Sequence, residues 1–387
     1  MGKRANFTNI QSSHYVATNG YETSHYRTGY ERVIAQYTKL PFAHAAREDG
    51  IILDINDKLN IMKIKYKSGK VEAVQFGEDY TKNGGGGFVA TQKLTVNNFK
   101  KGDRVKRGDI VVYNEDFFTP NIDTKQVDWN IGVMANIAFI ESDMTIEDSN
   151  TVTQQLADKL VMEPVHERVI TLTADTNIRS CVEVGDHVMN TDVLLTFDES
   201  KFEDHEISNS ADSELIEMLE RMNRATPRAQ FTGEIVKIEC YYKRPLKDMN
   251  PSLAKLIRAN TSYRNSRAEY AADTSNSFNF NKSQPITDTD RFGNIDLTDD
   301  TVVLRFFIKH KVGVRPGDKL IFASSLKSVT TKVLKDQIDT KIGVSVDGFM
   351  SSKGMMARII TDPIVMGLAE RILGTMQNNI VDMYFNK

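Results

Sequence analysis

Apolar and polar residues alternate along three neighbouring segments of the chain, residues 51–55, 59–66 and 71–76. A period of two is typical of β-strands that bury one face and leave the other in water. Lys67-Ser68-Gly69-Lys70 lies between the last two segments and predicts a tight turn. The pattern therefore predicts a β-rich module in this part of the chain.

Helical periodicity is limited to a few segments. Apolar stripes and helix-starting Asn-Pro and Asp-Pro pairs predict helices over 212–224, from 250 to about 259, and from 362 to about 373. The stretch 261–300 is polar and rich in Asn, Ser, Thr and Asp, so we expect a long loop or a partly disordered insertion. The predicted fold class is mainly β with a few helices.

A short Gly-Asp motif recurs along the chain. The tetrapeptides that begin at Gly102, Gly108, Gly185 and Thr191 each read as a turn that enters a strand. Gly317-Asp318-Lys319-Leu320 is a partial copy. The copies are too irregularly spaced for a solenoid, and they favour small barrel-like units whose closure removes exposed strand edges.

Composition excludes several classes of protein. The chain has 387 residues, 40% of them hydrophobic and 26% charged, which suits two or three linked modules of a soluble protein. No run approaches the ~18 apolar residues of a membrane span, and the N-terminus shows no signal-peptide pattern. The two cysteines are too few for a disulfide framework. We therefore expect a soluble, cytoplasmic protein.

The net charge of −3 excludes a bulk polycation, but cations cluster locally. Residues 301–316 contain no acid and four cations, Arg305, Lys309, Lys311 and Arg315. Such a surplus is typical of a salt-sensitive phosphate-binding surface, and equally of a solvated face. The sequence leaves both interpretations open.

The strongest candidate for chemistry is a turn followed by two lysines. Pro316-Gly317 supplies the backbone angles of a tight turn, and Lys319 and Lys327 follow it among apolar residues. Two ammonium groups on rigid, half-buried backbone suit a phosphate-rich ligand, whereas lysines that extend from a strand edge into water need none. The adjacent acids Glu147 and Asp148, taken by themselves, suit the start of a helix, because acidic residues favour the first turn.

Other catalytic groupings are absent from the sequence. The seven histidines show no tight metal-binding spacing, and neither cysteine lies in a recognisable nucleophile motif. There is also no Asp-x-Asp-x-Asp motif. The sequence therefore predicts no catalytic metal site on this chain alone.

Three segments, in this order, resemble the β subunit of multisubunit DNA-dependent RNA polymerases. Thr28-Gly29-Tyr30-Glu31-Arg32 is similar to the family's Thr-Gly-Met-Glu-Arg, and Glu147-Asp148-Ser149 to its Phe-Glu-Asp-Ser. Gly317-Asp318-Lys319 with Lys327 resembles its Gly-Asp-Lys, seven residues, Lys. The resemblance covers the C-terminal half of β, from about Thr28 to about Gly374. Ala323-Ser324-Ser325-Leu326 stands where the family has Arg-His-Gly-Asn.

The resemblance implies roles for five residues. Lys319 and Lys327 would contact phosphates of the nucleotide and of the RNA end. Glu147 and Asp148 would lie near the second Mg²⁺ and the triphosphate, without binding the metal directly. Lys353 would take the place of a family arginine at the triphosphate, although lysine lacks bidentate geometry. Because β′ holds the catalytic Mg²⁺ in the family, this chain would be a nucleotidyltransferase subunit that is inactive alone.

The resemblance also implies a multi-module β-subunit architecture with barrel-like regions, namely the hybrid-binding double-psi barrel and the wall. We expect an N-terminal segment over 1–50 and a β-rich module over 51–150 that ends in the Glu-Asp loop. A wall- or flap-like insertion would cover 151–300, including the polar loop 261–300. Closing strands of the hybrid-binding barrel and a C-terminal helix would occupy 301–387.

A β subunit of this reduced length is similar to the split subunits of jumbo-bacteriophage RNA polymerases. The implied partners are β′-like chains with the Asp-x-Asp-x-Asp site, the N-terminal half of β on another chain, a promoter-specificity subunit, template DNA, RNA and nucleoside triphosphates, and no membrane. The location would be the cytoplasm of the infected bacterium or the virion. Two alternatives stay open: a non-catalytic nucleic-acid-binding or structural barrel module, and a stand-alone metal-dependent hydrolase or transferase using Glu147 and Asp148.

Overall fold

The computed structural model describes residues 2–9, 14–15, 21–82, 89–121, 124–130, 132–198, 227–280, 298–322, 326–341, 343–357 and 361–385. It is mainly β, with 41% strand and 23% helix, as the alternating pattern predicts. The strands are β1 (Gly2–Asn9), β2 (His14–Tyr15), β3 (Ala43–Ala45), β4 (Gly50–Asn56), β5 (Ile61–Tyr66), β6 (Val71–Gln75), β7 (Gly77–Lys82), β8 (Val89–Val96), β9 (Arg104–Val105), β10 (Ile110–Asn114), β11 (Phe118–Pro120), β12 (Val127–Trp129), β13 (Val133–Phe139), β14 (Ser149–Thr153), β15 (Pro164–Thr173), β16 (Asn177–Cys181), β17 (His187–Val188), β18 (Leu195–Asp198), β19 (Gly233–Tyr242), β20 (Thr301–Lys309), β21 (Lys319–Phe322), β22 (Leu326–Leu334), β23 (Ile338–Asp339), β24 (Ser345–Val346) and β25 (Gly348–Met350).

The α-helices of the described residues are fewer, as the sequence predicts. They are α1 (Ile34–Tyr37), α2 (Gln154–Lys159), α3 (Pro251–Tyr270), α4 (Ser352–Ala357) and α5 (Asp362–Phe385), with short 3-10 turns at Tyr30–Arg32, Leu246–Asp248 and Ser277–Asn279. The predicted strands at 51–55, 59–66 and 71–76 are confirmed as β4, β5 and β6. The predicted helix at 212–224 lies outside the described residues.

The predicted polar loop at 261–300 is wrong over 261–270, where α3 continues to Tyr270. Asn250 caps this helix as predicted, since its side chain accepts the N–H of Ser252 at 3.0 Å. The helix does not end near 259 because Thr261 and Ala268 are buried along one face, and the Thr261 hydroxyl donates to the Ile257 carbonyl at 2.7 Å. Polar residues on the opposite face hid this periodicity. Residues 281–297 of the predicted loop lie outside the described residues.

The chain forms two compact units, which we call unit 1 and unit 2. Unit 1 comprises Met1–Glu163 and Lys311–Lys387, and unit 2 comprises Pro164–His310. Unit 2 is thus an insertion between two parts of unit 1. Its extent is close to that of the predicted insertion at 151–300, and most of the predicted segments 1–50, 51–150 and 301–387 falls in unit 1.

Six strands of unit 1 close into a ring. The ring order is β1, β13, β25, β14, β22 and β21, and β21 pairs back to β1. Two of its pairings are parallel, β13 with β25 and β14 with β22. Its core contains Ile137, Val152, Leu320 and Phe322, each almost fully buried. We refer to these strands as the six-strand ring.

Unit 1 contains two further groups of four paired strands, besides the short pairs β11–β12 and β23–β24. One has the order β6-β5-β4-β9 and encloses a separate core that includes Ile52, Met62 and Ile64. The other joins β7, β8, β10 and β3 by antiparallel pairing. Unit 2 is built on the antiparallel order β17-β19-β20-β15, against which the first half of α3 packs with Leu253 and Ile257.

The predicted Gly-Asp repeat is a real structural unit. In each copy the aspartate side chain accepts, at 2.8 Å, the N–H three residues earlier: Asp103 from Lys100, Asp109 from Lys106, Asp186 from Glu183, Asp192 from Met189 and Asp318 from Arg315. The glycines before Asp103 and Asp186 have φ of 90° and 102°, a region that favours glycine. These turns also pair with a facing strand, since Ile52 bonds Gly102 and Asp103, and Ile235 bonds Gly185 and Asp186.

Helix α5 continues to Phe385, beyond the predicted end near 373. Its buried Glu370 accepts backbone N–H groups of His25 and Tyr26, each at 3.1 Å, and so holds this helix to the start of unit 1. Several of its apolar side chains, such as Leu368 and Ile380, are exposed. Within the described part of the chain, no helix has the length and apolar character needed to cross a bilayer.

We expect Gly233→Ala to destabilise unit 2 by about 2 kcal/mol or more, because the new Cβ would lie 2.2 Å from the carbonyl oxygen of Lys309. Strand pairing leaves that backbone oxygen little freedom to move. Thermal or urea unfolding would measure the change. Glu234→Ala is the matched control: its side chain is partly exposed and its ion pair with Lys309 is long, at 4.0 Å, so the variant should stay within about 0.5 kcal/mol of wild type. Equal stability of the two variants would contradict the predicted clash.

Candidate functional site

Lys319 and Lys327 lie on the same outer face of the hairpin β21–β22. Lys319 is directly opposite Val329, and Lys327 is opposite Ile321, so the two lysines are diagonal neighbours. Lys319 is half-buried and Lys327 is exposed. The alternate residues Leu320, Phe322 and Leu326 are buried in the ring. Residues 323–325, where the family's Arg-His-Gly-Asn would begin, lie outside the described residues.

Within the described residues, no carboxylate forms an ion pair with Lys319 or Lys327. The Gly317 turn sets the direction of Lys319, because Asp318 accepts the N–H of Arg315 and its carbonyl accepts that of Thr330, each at 2.8 Å. The apolar residues that surround the lysines in sequence point mainly to the other face. The hairpin therefore presents two cations on rigid backbone, and both can contact an anionic ligand.

Glu147 and Asp148 lie in the loop that leads into β14, and the loop is beside the lysine hairpin. The Asp148 carbonyl accepts the N–H of Val329 at 2.8 Å, and Val329 is the residue opposite Lys319. Both acids are exposed, and Glu147 has a left-handed φ of 51°. The loop starts no helix, so the alternative interpretation of the acidic pair as a helix start is wrong.

Hydroxyl groups hold the backbone of this acidic loop. The buried Thr145 side chain donates to the Ile140 carbonyl at 2.6 Å, and the Thr331 side chain of β22 donates to the Met144 carbonyl at 2.6 Å. Ser149 similarly donates to Ile146 at 2.7 Å. Because these hydrogen bonds fix the backbone of the loop, the two acidic residues are held at a defined position.

Lys353 lies at the start of the short helix α4, which follows β25. Gly354 packs against the acidic loop so closely that a Cβ there would lie 2.9 Å from the carbonyl oxygen of Glu147. β25 itself pairs with β14, with Met350 opposite Asn150. Lys353 is therefore on the same end of the six-strand ring as Glu147 and Asp148.

Glu141 fixes the start of α4, and sequence reasoning missed it. One carboxylate oxygen accepts the Lys353 N–H at 2.6 Å and the hydroxyls of Ser351 and Ser352 at 2.8 and 3.0 Å. These hydrogen bonds lower the pKa of Glu141; the bond from the Lys353 N–H has the largest effect, and the bond from Ser351 the next largest. No motif identifies Glu141, because its partners lie more than two hundred residues away in the chain.

The structure thus brings all five predicted site residues to one end of the six-strand ring. A row of paired positions runs from Lys319 to Val329 and on to Ser149, with Asp148 beside it. Strand pairing and backbone contacts thus place three lysines and two exposed acidic residues at this end of the ring, a set of residue types that suits a polyanionic ligand. No group of three or more metal-binding side chains occurs within the described ranges.

The first segment of the sequence resemblance has a local structural role. Glu31 accepts the N–H of Gly29 at 2.9 Å and that of Thr28 at 3.2 Å. Burial would raise the pKa of Glu31, but these bonds and its own N–H lower it on balance. Arg27 pairs with the buried Asp128. These contacts stabilise the turn before α1 and place none of its acids in the candidate site.

Three of the four cations in the 301–316 surplus are paired with carboxylates. Arg305 bonds Glu239 at 3.2 Å and also pairs with Glu167. Lys311 lies 3.6 Å from the buried Glu163, and Lys309 lies 4.0 Å from Glu234. These carboxylates offset part of the positive charge that the composition shows, and Arg315 forms no ion pair among the described residues.

A comparison with protein-family models finds no match, and a search of the curated proteins finds no relative of significant sequence similarity.

We expect Glu141→Gln to destabilise unit 1 at neutral pH, because the ionised carboxylate is the better acceptor for the Lys353 N–H. A lowered pKa means that folding favours the ionised form. This stabilisation is complete above the ordinary carboxyl pKa of about 4.3 and is lost as pH falls through the lower folded value. The difference in Tm from wild type should therefore be largest near pH 7 and shrink in acid.

Thermal melts at several pH values would measure this difference. Asp143→Asn is the matched control, because Asp143 lies in the same loop and its side chain forms no hydrogen bond with α4 among the described residues. Its melts should follow wild type throughout. A Tm difference for Glu141→Gln that does not change with pH would exclude a role for the ionised carboxylate.

Proposed function

We propose that this chain is the C-terminal part of a split RNA polymerase β subunit. It would contribute part of the nucleotide and RNA–DNA hybrid site to a phage-encoded multisubunit enzyme. The observation that carries the proposal is the meeting of the Gly-Asp-Lys hairpin, the Glu147-Asp148 loop and the Lys353 helix at one end of the six-strand ring.

The proximity of these segments supports the proposal because each one resembles the β family independently of the others. Residues 147, 319 and 353 lie far apart in the chain, and short motifs that match by chance have no reason to become neighbours. Here they are joined by the hydrogen bond between Asp148 and Val329 and by the contact of Gly354 with Glu147. A shared functional site explains why they converge.

The ring geometry also supports the finer fold assignment. A closed ring of six strands with two parallel pairings is compatible with the double-psi barrel of the resembling family. We assign the ring to the hybrid-binding barrel and unit 2 to the wall-like insertion. Both assignments follow from the resemblance and the strand order together.

The proposed chemistry is phosphoryl transfer, in which the RNA 3′-hydroxyl attacks the α-phosphorus of a nucleoside triphosphate and pyrophosphate leaves. Catalysis of such transfers depends on positioning and on neutralising phosphate charge. Lys319 and Lys327 would bind phosphates of the nucleotide and the RNA end. Lys353 would hold the triphosphate as a single point charge, without the bidentate grip of arginine.

Glu147 and Asp148 suit an outer-sphere role at magnesium. Both are exposed oxygen donors on a braced loop, and magnesium prefers oxygen ligands and retains bound waters. They would orient such waters, while the metal's direct ligands would come mainly from a β′-like partner. Bound magnesium would supply charge neutralisation at the transferring phosphate.

The proposal requires partners. These are β′-like chains with the Asp-x-Asp-x-Asp site, the N-terminal half of β, and a promoter-specificity subunit, acting on template DNA in the infected bacterium or from the virion. The chain would therefore be inactive alone. The enzyme would form only when these chains assemble.

We expect Lys319→Ala and Lys327→Ala each to lower RNA synthesis by the assembled enzyme about tenfold or more, because each removes a charge that binds phosphate. The assay is nucleotide incorporation by a complex co-purified with the partner chains. Lys335→Ala is the matched control, since Lys335 is exposed just beyond the end of β22 and should support the wild-type rate.

Full activity of an assembled complex that carries both alanines would show that the proposed site is wrong. RNA synthesis by the purified chain alone would contradict the requirement for partners. If the chain assembles with its partners and neither lysine affects any step of RNA synthesis, the alternative of a non-catalytic barrel module is favoured.

A further inference from the structure

One surface of unit 1 carries exposed cations that the nucleotide site does not use. It lies on the sheet β6-β5-β4-β9 and its adjoining turns, and we call the set Lys65, Lys100, Arg104, Lys106 and Arg107 the basic surface. Arg104 and Lys65 flank Ile51 from its two neighbouring strands. All three side chains are exposed, while Ile52, Ile64 and Val105 fill the core beneath.

Charge in this region is strongly unbalanced. Residues 49–70 and 100–109 contain ten Lys and Arg against five Asp, although the whole chain has a net charge of −3. Two of the cations are paired, Lys67 with Asp49 at 2.7 Å and Lys101 with Asp54 at 3.0 Å. Among the described residues, the side chains of the basic surface form no ion pair. This contrasts with Arg305, Lys309 and Lys311, which have carboxylate partners.

The two Gly-Asp turns of this region show that the cations are not needed for folding. The same turn, with the same 2.8 Å bond to aspartate, occurs twice in unit 2. Where unit 1 has Lys100-Lys101 and Lys106-Arg107, unit 2 has Glu183-Val184 and Met189-Asn190. The turn therefore accepts acidic, apolar or amide residues, and its geometry does not explain four cations in unit 1.

We propose that the basic surface binds the phosphate backbone of duplex DNA, apart from the nucleotide site. Exposed, unpaired Lys and Arg on rigid turns suit phosphate contacts that do not depend on base sequence. Single strands are usually held by stacking on aromatic side chains. Tyr66 is the only aromatic residue in 49–70 and 100–109, and it is buried. The surface therefore favours a duplex, whose bases are already stacked.

The test measures binding of the full chain to a labelled DNA duplex of about 20 base pairs by fluorescence anisotropy over a range of salt concentrations. The variant Lys106→Met/Arg107→Asn carries the residues found at the equivalent turn of unit 2. We expect its Kd to rise roughly tenfold at about 0.1 M salt. The slope of log K against log salt should become shallower by about two, since two phosphate contacts are lost.

The matched control is Lys255→Met/Arg258→Asn, which removes the same charge from two exposed positions of α3 in unit 2. This variant should keep the wild-type Kd and salt slope, and thermal melts should show that both double variants are folded. An unchanged Kd for the turn variant, an equal loss in the control, or tighter binding of a single strand of the same length would each overturn the proposal.

The assay needs neither nucleotides nor partner chains, so it is independent of the proposed polymerase activity. A loss of DNA binding in the turn variant would stand even if Lys319→Ala had no effect on RNA synthesis. Conversely, failure of the duplex to bind would leave the nucleotide site untouched.

Discussion

Backbone hydrogen bonds between strands hold the candidate site in place. β14 is central, because it pairs in parallel with β22 and antiparallel with β25, so that the acidic loop before it lies between the lysine hairpin and α4. Side chains alternate between the two faces of a strand, and a slip of one residue would turn Lys319 and Lys327 into the core and Leu320 out of it. The chemistry of this end therefore depends on the register of the six-strand ring.

In the Gly-Asp turn, folding requires the aspartate, whereas the residues at the tip can vary with function. Each copy has an aspartate bonded to the N–H three residues before it, and the chain then enters a strand. The residues at the tip differ freely, from Lys-Arg to Met-Asn to Arg-Pro. Since the turn fixes the backbone and not the charge, one structural unit can present Lys319 at one end of the ring and a basic surface elsewhere in unit 1.

Pairing decides which cations can contact a ligand. The 301–316 segment has no acid in its own sequence, yet Arg305 bonds Glu239 across neighbouring strands, and Lys311 lies beside the buried Glu163. The turn at Lys106 and Arg107 has an aspartate within it, but that carboxylate is occupied by a backbone N–H. Composition alone therefore does not decide which cations are available, because the carboxylates that pair with Arg305 and Lys311 are distant in the chain, whereas the Lys106 and Arg107 side chains form no ion pair among the described residues.

The sequence by itself determined the strands with clear alternation, the Gly-Asp turns, the cap of α3 and the residue types of the candidate site, because each depends on neighbours in the chain. It did not show that α3 runs through 261–270, since only tertiary contacts bury Thr261 and Ala268. Nor did it show Glu141 or which strands close the ring, and it placed residues 147, 319 and 353 at one site only through the family resemblance. These depend on strand pairing between distant segments, which no local pattern specifies.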